Sequence, residues 1–344
     1  MLNWATIRAA MMNGLIAPWT LAQAGMLGIN RRNRKYIGQY NPRSLFPLVD
    51  DKRKTRTTLS EAGIPMADLI GVIDEQSQVK RIADLVDGHQ GFAIKPAKGS
   101  GGKGILIITH KDGEHWVKAS GAHISRQDLV RHVSNILSGL YSLGGAADVA
   151  LVESLIHQAP HFNDYTVEGV PDIRVIVCRG YPVMAMVRLS THASDGKANL
   201  HQGAVGVGID IATGVALAAV QHGQPLSHHP DTNKPLGALT IPDWEALLVM
   251  AARCYDVTGL GYLGIDIVVD RDRGPLLLEL NARPGLAIQL ANNAGLLPRL
   301  RRLDALSAAD TRLTPEARVA RSREWFADQS VFDQAIQTRV QLTE

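Results

Sequence analysis

The segment that most constrains the fold is a glycine-rich loop between two apolar runs. Residues 92–109 read FAIKPAKGSGGKGILIIT, and four glycines and two lysines fill the middle of this segment. The run after the loop, ILIIT, is β-branched and apolar, which predicts a strand and not a helix. The segment therefore predicts two antiparallel strands joined by a mobile, cationic tip.

This strand after the loop excludes two common phosphate-binding motifs. Gly99, Gly101 and Gly104 satisfy the pattern G-x-G-x-x-G, but that dinucleotide motif needs a helix next to receive the pyrophosphate. A P-loop is excluded because Lys103 is followed by glycine where Ser or Thr is needed. The tip can instead fold over a polyphosphate as a lid, with Lys95 beside it. A surface hairpin without a ligand is the alternative that this segment leaves open.

Two carboxylates interrupt apolar strands late in the chain. Asp266 lies in YLGIDIVVD and Glu279 in GPLLLELNARPG, and a buried carboxylate without a partner is costly. Asn281 lies two residues beyond Glu279, so it projects from the same face of the strand. These oxygen donors suit Mg²⁺ together with substrate phosphates, whereas salt bridges to arginines such as Arg283 are the alternative.

The order of elements predicts an α+β protein. Strands are predicted at 67–73, 91–95, 104–109, 148–156, 172–180, 181–190, 262–270 and 274–281. Helices are predicted at 50–63, 79–88, 124–143, 243–259 and from Thr314 onward, the last as a surface helix of mixed charge. Several consecutive strands are hairpins, so the chain does not follow regular βαβ winding.

Composition excludes some partners. With 344 residues, of which 45% are hydrophobic, the chain can bury a large core and divide into two or three domains. Aromatic content of 5% and a net charge of +3 argue against nucleic acid as the main partner.

The cysteines and the amino-terminal stretch bear on location. Cys178 and Cys254 share no short spacing, which argues against a disulfide framework or thiolate metal site and fits the cytoplasm. Residues 1–29 resemble a weak secretion signal, but Asn13 and Pro18 interrupt the apolar run, so an ordinary helix is the favoured interpretation. No stretch has the length of an uninterrupted transmembrane span.

Taken in order, these motifs resemble those of the ATP-grasp ligases. Within that superfamily the chain is similar to RimK-type glutamate ligases, and more narrowly to alpha-L-glutamate ligase-like proteins, over about Asp50 to Leu296. The resemblance implies an ATP-grasp fold, in which two α+β subdomains grip ATP, with a shortened amino-terminal region. The implied parts are an irregular amino-terminal region (1–50), a lid-bearing half (51–152), a metal-bearing half (153–300) and a helical tail (301–344).

The resemblance also implies a nucleotide site. DDKRKTRTTLSEAGIP resembles a helix that carries a nucleotide-contacting lysine, FAIKPAKGSGGKGI resembles the strand and lid, and ALVESLI resembles the linker that reads adenine. The implied ATP-binding residues are Lys52, Lys95, Lys98, Gly99, Ser100, Gly101, Gly102, Lys103, Gly104, Glu153, Ser154 and Leu155.

The same resemblance implies catalytic and metal-binding residues. DIRVIVCRG supplies Asp172 and Arg174, MVRLS supplies Arg188, and ANLHQGA is close to the RimK-type NLHRGG. The implied catalytic residues are Arg174, Arg188, Asn199, His201 and Arg283, and the implied ligands of Mg²⁺, or of Mn²⁺ in its place, are Asp266, Glu279 and Asn281.

The implied reaction joins a carboxylate to an amine at the expense of ATP, through an acyl phosphate. The carboxylate is a small molecule or a peptide, and the amine is glutamate or another amino acid. A catalytically idle ATP-binding regulatory module, a small-molecule kinase and assembly into a homo-oligomer all stay open. The longer segment 157–171 and the short amino-terminal region leave the substrate unidentified, and the loop histidines have no zinc-ligand spacing.

Overall fold

Two antiparallel sheets form the framework of the protein. A computed structural model describes residues 21–22, 25–99 and 101–327. Within these ranges the strands form one sheet of six strands and one of seven, and every ladder is antiparallel. The predicted α+β class is confirmed.

The six-stranded sheet belongs to the first half of the chain. Its strands are β1 (Leu69–Ile73), β2 (Phe92–Pro96), β3 (Leu106–Asp112), β4 (His115–Lys118), β5 (His123–Ile124) and β6 (Ala150–Ser154), in the order β1-β6-β2-β3-β4-β5. One face buries Phe92, Ile94 and Val152 against helical residues such as Leu129 and Val133. The other face carries Lys95 and Glu153.

The seven-stranded sheet belongs to the second half. Its strands are β7 (Asp172–Cys178), β8 (Tyr181–Leu189), β9 (Val205–Ile209), β10 (Ala216–Gln221), β11 (Gln224–Pro225), β12 (Tyr262–Asp270) and β13 (Gly274–Asn281), in the order β11-β10-β9-β8-β7-β12-β13. All residues of β7 and β12 are buried. Polar groups in these strands therefore need partners within the protein.

Helices cover both sheets. They are α1 (Pro47–Asp50), α2 (Lys52–Glu61), α3 (Ile82–Leu85), α4 (Arg126–Leu137), α5 (Trp244–Thr258), α6 (Ile288–Ala291), α7 (Leu297–Asp304) and α8 (Pro315–Trp325), with short 3₁₀ turns between them. Before α1 the segments Ile29–Arg31, Arg32–Ile37 and Gly38–Tyr40 follow one another as α, π and α turns. Helices α5 and α8 contact one side of the seven-stranded sheet, and α6 contacts β8 and β9.

All eight predicted strands are present, and among residues 25–99 and 101–327 sequence analysis missed five further strands, β4, β5, β9, β10 and β11. The strand β9 reads VGVGI, and its alternating glycines weaken the strand pattern. The segment predicted as one helix over 79–88 is split: residues 79–81 end the 3₁₀ helix Gln76–Arg81, and the short α3, Ile82–Leu85, follows it.

The carboxy-terminal helix differs from its prediction as a surface element. It begins at the predicted place, where Thr314 accepts a hydrogen bond from the N–H of Ala317. Arg318 in this helix is fully buried and pairs with Asp256 of α5. A buried arginine paired in this way attaches α8 to the core, so the helix is part of the domain.

Most of the amino-terminal stretch predicted as a helix, residues 1–29, lies outside the described residues. Within residues 21–22, 25–99 and 101–327, no helix is both long and apolar enough to cross a bilayer.

One loop histidine is part of the core. His229 is 1% exposed, and its Nδ1 accepts the N–H groups of Asp231 and Thr232 at 3.3 and 3.4 Å. Its Nε2 lies 3.2 Å from the carbonyl oxygen of Ser190 and donates to it in the neutral ring. Burial lowers the pKa of His229 below its ordinary value. The neutral ring is therefore the form that the fold requires.

The loss of this neutral form should destabilise the protein in acid. The imidazole of the unfolded chain takes up a proton near pH 6.5, while the folded chain resists it, so stability falls as the pH drops through that value. We expect a loss of about 1 kcal/mol between about pH 7.5 and about pH 5.5. Urea unfolding of His229→Gln should show a smaller loss over this interval, with the exposed neighbour His228→Gln as the control. Equal losses in all three proteins would contradict this assignment.

Candidate active site

A row of charged side chains crosses four strands of the seven-stranded sheet. In the ladders Arg188 of β8 is opposite Asp172 of β7, Arg174 of β7 is opposite Asp266 of β12, and Asp266 is also opposite Glu279 of β13. Residues opposite one another on antiparallel strands project from the same face. The strand register alone therefore brings these five side chains, which lie between residues 172 and 279, onto one face.

Two arginines compensate the central carboxylate of this row. The Nε of Arg174 donates to Oδ1 of Asp266 at 2.6 Å, and its Nη2 donates to Oδ2. The Nη2 of Arg188 lies 3.0 Å from the same Oδ2 and also pairs with Asp172. All four side chains are nearly excluded from solvent. Such pairs hold together only because every charge has a partner.

The two aspartates of the row respond differently to burial. Burial raises the pKa of Asp172 to about 7; the Arg188 guanidinium opposes the shift, and the negative charge of Asp266 adds to it. Burial also disfavours the charged form of Asp266, but Arg174 and Arg188 outweigh it and lower the pKa of that carboxyl. Among the described residues, Oδ1 of Asp172 and Nε of Arg188 are buried and have no hydrogen-bond partner.

Lys52 connects this row to the glycine-rich loop. It is the first residue of α2, whose start is capped by Asp51, which accepts the N–H of Arg53. The Nζ of Lys52 lies 3.2 Å from Oε1 of Glu279 and donates to the carbonyl oxygen of Gly99 at 2.8 Å. The side chain of Glu279 is 40% exposed, so its carboxylate faces accessible space.

Lys95 lies on the inner face of the other sheet. Its Nζ lies 2.6 Å from Oε2 of Glu153, and Nη2 of Arg56 donates to Oε1 of the same carboxylate at 2.6 Å. Burial opposes the ionisation of Glu153, but Lys95 and Arg56 outweigh it and lower the pKa of this carboxyl. A small gap of about 20 Å³ is lined by Lys52, Lys95, Glu153 and Glu279. The two lysines and the edge of the charged row therefore border one space between the sheets.

The glycine-rich loop is fixed at both ends. At its start the N–H of Lys98 donates to both oxygens of Asp148 at 3.0 and 3.1 Å. At its end Gly104 has a φ of +75°, and the ring of Tyr141 lies where a β-carbon would be, so only glycine fits. Gly101 and Gly102 between them also have positive φ, and Lys103 is exposed. Ser100 lies outside the described residues.

The remaining predicted residues lie around this space with local partners. The side-chain oxygen of Asn199 accepts the N–H of His201, and Leu200 between them packs against Gly206, which is opposite Arg188 in the ladder. The loop that carries Asn199 and His201 therefore adjoins the charged row. His201 itself is exposed.

Two predicted linker residues contact neighbouring backbone, and Arg283 lies at the surface. Ser154 donates its N–H to the carbonyl of Asp68, and Leu155 packs against Gly91. Arg283 is half exposed, lies over the ring of Phe46 and pairs with Asp50 at 3.3 Å. Asp266 does form the salt bridges that were the alternative to a metal site, but its partners are Arg174 and Arg188 and not Arg283.

The donor set around Glu279 fits Mg²⁺ better than that of Asp266. Glu279 and Asn281 offer hard oxygens on one face of β13. Both oxygens of Asp266 are engaged by guanidinium groups, and Oδ1 of Asp172 is the buried carboxylate oxygen left over. Across the described ranges, no three His, Cys, Asp or Glu side chains are already arranged as a metal cluster. Asp172 lies in the motif DIRVIVCRG, but sequence analysis assigned it no role in binding.

Sequence reasoning also missed Asp148 and Arg56. Asp148 is buried and accepts four hydrogen bonds, from the N–H groups of Lys98 and Val149 and from the hydroxyl of Ser142. An aspartate at the first position of the predicted strand 148–156 looks like an ordinary polar residue at a strand end. Arg56 is one of several basic residues in α2, and only the three-dimensional packing distinguishes it.

Comparison with known proteins now identifies the class. Residues 31–305 match the family described as sugar-transfer associated ATP-grasp, and the chain belongs to this family. The predicted resemblance to ATP-grasp proteins is thereby confirmed, although the sugar-transfer association was not predicted.

A curated relative and several solved structures are also similar. The chain is 25% identical over 259 residues to the probable alpha-L-glutamate ligase of Aliivibrio salmonicida (strain LFI1238), which covers 73% of this chain and 64% of that protein. The chain thus spans less than two thirds of the length of this relative.

The solved structures are more distant. The ATP-grasp ligase PsnB complexed with minimal precursor is 16% identical, covering 77% of this chain and 62% of that chain, with a TM-score of 0.43. D-alanyl-alanine synthetase A from Vibrio cholerae is 10% identical, covering 80% and 66%, with a TM-score of 0.45. A RimK domain protein ATP-grasp from Sphaerobacter thermophilus is 14% identical, covering 74% and 69%, with a TM-score of 0.37.

The two carboxylates that sequence analysis assigned to the metal should respond differently to neutralisation. Asp266→Asn should lower the unfolding free energy by about 3–5 kcal/mol, because it removes the counter-charge of buried Arg174 and one of the two carboxylate partners of Arg188. Glu279→Gln should stay within about 1 kcal/mol of the natural protein, because the carboxylate is partly exposed. Denaturant titration of both variants measures this. Equal losses would show that Asp266 is not the central compensating charge.

The Asp148 contact should control the mobility of the loop. Lys98 and Lys103 make the loop a target for trypsin, and Asp148→Asn weakens the hydrogen bonds at its start. We expect cleavage at these lysines to be several-fold faster in this variant, while cleavage elsewhere is unchanged. Asp112→Asn, which neutralises an exposed carboxylate on β3, is the matched control. Unchanged cleavage of the loop in Asp148→Asn would count against an anchoring role.

Proposed function

We propose that the protein is an ATP-dependent ligase that joins a carboxylate to an amine through an acyl phosphate. The observation that carries this proposal is the contact between Lys52 and Glu279, 3.2 Å apart, at the edge of the charged row. It brings the cationic groups of the first half of the chain to the oxygen donors of the second half. A magnesium–triphosphate needs both kinds of group around it.

The lysines and the loop are the proposed phosphate-binding groups. Lys52 and Lys95 line one space. Lys52 also donates a hydrogen bond to the carbonyl oxygen of Gly99, near the start of the loop from Lys98 to Gly104. In the proposal the β- and γ-phosphates take the place of Glu153 and Glu279 as partners of these ammonium groups. The loop then closes over the phosphates and keeps water from the acyl phosphate.

The face of the six-stranded sheet beside Lys95 suits a nucleotide base. Ala93 is opposite Ile107 on one side and Glu153 on the other, so the three residues share a face with Lys95. Ile107 is 46% exposed, which is a large accessible fraction for an isoleucine. We place the adenine against Ile107, with the backbone of Glu153, Ser154 and Leu155 reading its edge.

The arginines are the proposed groups that bring the two negatively charged reactants together. A substrate carboxylate and the γ-phosphate repel each other, so the site must neutralise both. Arg174 is held rigid by Asp266, and Arg188 has a buried Nε–H that finds no partner within the described ranges. We assign the carboxylate to Arg188, with Asn199, His201 and Arg283 around the incoming amine.

A bound Mg²⁺ would supply further neutralisation of the phosphate charge. The residues proposed to hold it are Glu279 and Asn281, and Asp266 is the third ligand predicted from the sequence. Oδ1 of Asp172 is a further carboxylate oxygen that is buried and accepts no hydrogen bond from the described residues. Glutamate as the added amino acid is carried over from the probable alpha-L-glutamate ligase of Aliivibrio salmonicida and is part of the proposal. A cytoplasmic location and the domain limits given above are also part of it.

The reaction can be separated from its two alternatives by product analysis. A ligase releases ADP and phosphate only when a carboxylate and an amine are both present. A small-molecule kinase leaves a stable phosphorylated product without an amine, and an idle ATP-binding module releases nothing. A screen of amino acids and peptides in pairs, with glutamate in every set, would distinguish them; ADP release that ignores the amine would reject the ligase.

Two neighbouring lysines of α2 provide a matched test of the phosphate site. Lys52→Ala should weaken the binding of Mg·ATP by roughly tenfold or more, because it removes a charge-assisted contact to the phosphates. Lys54→Ala removes an exposed lysine from the same helix and should leave the affinity unchanged. Calorimetric titration with Mg·ATP measures both. Equal affinities of the two variants would contradict the assignment of Lys52.

A further inference from the structure

A second cleft lies between α2 and the six-stranded sheet. Its volume is about 550 Å³, within the range of small-molecule sites, and it is lined by residues of α2, of the segment 66–69 and of β6. The helix contributes Arg53, Arg56, Thr57 and Ser60. These positions are three, four and seven residues apart, so they form one face of the helix. A helix that covers a sheet normally turns an apolar face inward.

The decisive group in this cleft is Arg56. The residue is only 9% exposed, and its Nη2 is used by Glu153. Its Nε–H is buried and has no hydrogen-bond partner anywhere in the described part of the chain. An unpartnered buried donor on a charged group is costly and uncommon. A ligand that supplies an acceptor would remove this cost.

The charges around the cleft favour an acceptor with one negative charge. The ionised groups that line the cleft are Arg53, Arg56 and Asp68. The two cations exceed the one carboxylate, and the partner of Arg53 outside the cleft, Asp74, is exposed and 3.6 Å away, which makes that pair weak. The carboxylate of Asp68 pairs with Arg273 at 2.9 Å.

The remainder of the lining is apolar. Met66, Ala67, Leu69 and Leu151 contribute to it, and Leu69 is 42% exposed although it is a large aliphatic residue on a strand. Covering such a surface with an apolar group is favourable. The cleft thus combines one free guanidinium N–H with an aliphatic wall.

We propose that this cleft binds a small organic monocarboxylate with an apolar body. The carboxylate accepts the Nε–H of Arg56 and is attracted by Arg53, and the body lies against Leu69 and Leu151. This site goes beyond the proposed ligase reaction, because it lies on α2 away from the charged row. Arg56 and Met66 also line the gap beside Lys52 and Lys95, and Arg56 shares the carboxylate of Glu153 with Lys95.

Hexanoate is a suitable probe, and hexanol is its uncharged counterpart. Saturation-transfer NMR titration of the full chain should give saturable binding of hexanoate, with hexanol bound roughly tenfold more weakly or worse. Arg56→Gln should weaken hexanoate binding by a similar factor. Ser60→Trp, at an exposed position of the cleft, should fill the cleft while it keeps both members of the Arg56–Glu153 pair, and it should also weaken binding.

The controls decide between this cleft and the substrate site. Arg188→Gln removes the arginine to which the substrate carboxylate is assigned and should leave hexanoate binding unchanged. Circular dichroism confirms that each variant is folded. The proposal is overturned if hexanoate does not bind, if hexanol binds equally well, if folded Arg188→Gln loses binding, or if folded Arg56→Gln and Ser60→Trp both bind as the natural protein does.

Discussion

The buried carboxylate of Asp266 and its two guanidinium partners are the constraint on which the second half of the molecule depends. Asp266 lies in a strand with every residue buried, and it is compensated from β7 and β8 by Arg174 and Arg188. A shift of one residue in the register of β12 would turn this carboxylate into the apolar core. The charged row therefore determines the register of four strands. It also lines the candidate active site.

Ion pairs also connect α2 to both sheets, through Lys52 and Glu279 on one side and Arg56 and Glu153 on the other. Lys52 bridges Glu279 and the start of the glycine-rich loop, and Glu153 is shared by Lys95 and Arg56. In each case a carboxylate that lines the gap beside Lys52 and Lys95 is compensated by a cation from another helix or strand. Such ion pairs are individually replaceable, because a phosphate oxygen can serve a lysine as well as a carboxylate does. In the proposed nucleotide site, these are the positions at which a phosphate would replace a carboxylate as the partner of a lysine.

The sequence predicts those parts of the fold that local chemistry determines. The apolar runs of β7, β8 and β12 could be read as strands, and the capped starts of α2 and α8 follow from Asp51 and Thr314. The missed strand β9 shows where this fails, because its alternating glycines carry no side chains to reveal a buried face. Local patterns identify an element only when its side chains differ from those of a loop.

The candidate site was less accessible to sequence reasoning than the fold. Asp266 and Glu279 stood out because each is a carboxylate in an apolar strand, but which arginine meets which carboxylate depends on strand register. Asp148 and Arg56 carry no local signal, since an aspartate in a loop and an arginine on a helix are both ordinary. Their importance comes from what packs on them: four hydrogen bonds in one case, and burial with an unused N–H in the other.

Because Glu153 is shared, the two proposed sites cannot be energetically independent. Lys95 and Arg56 each bind one oxygen of this carboxylate. An anion on Arg56 reduces the attraction between Arg56 and Glu153, which leaves Glu153 to pair more strongly with Lys95 and opposes the transfer of Lys95 to phosphate. Phosphate on Lys95 has the converse effect, because Glu153 is then left to Arg56 alone. Linkage requires the two effects to be equal in free energy, so carboxylate and nucleotide would each weaken the binding of the other by the same factor.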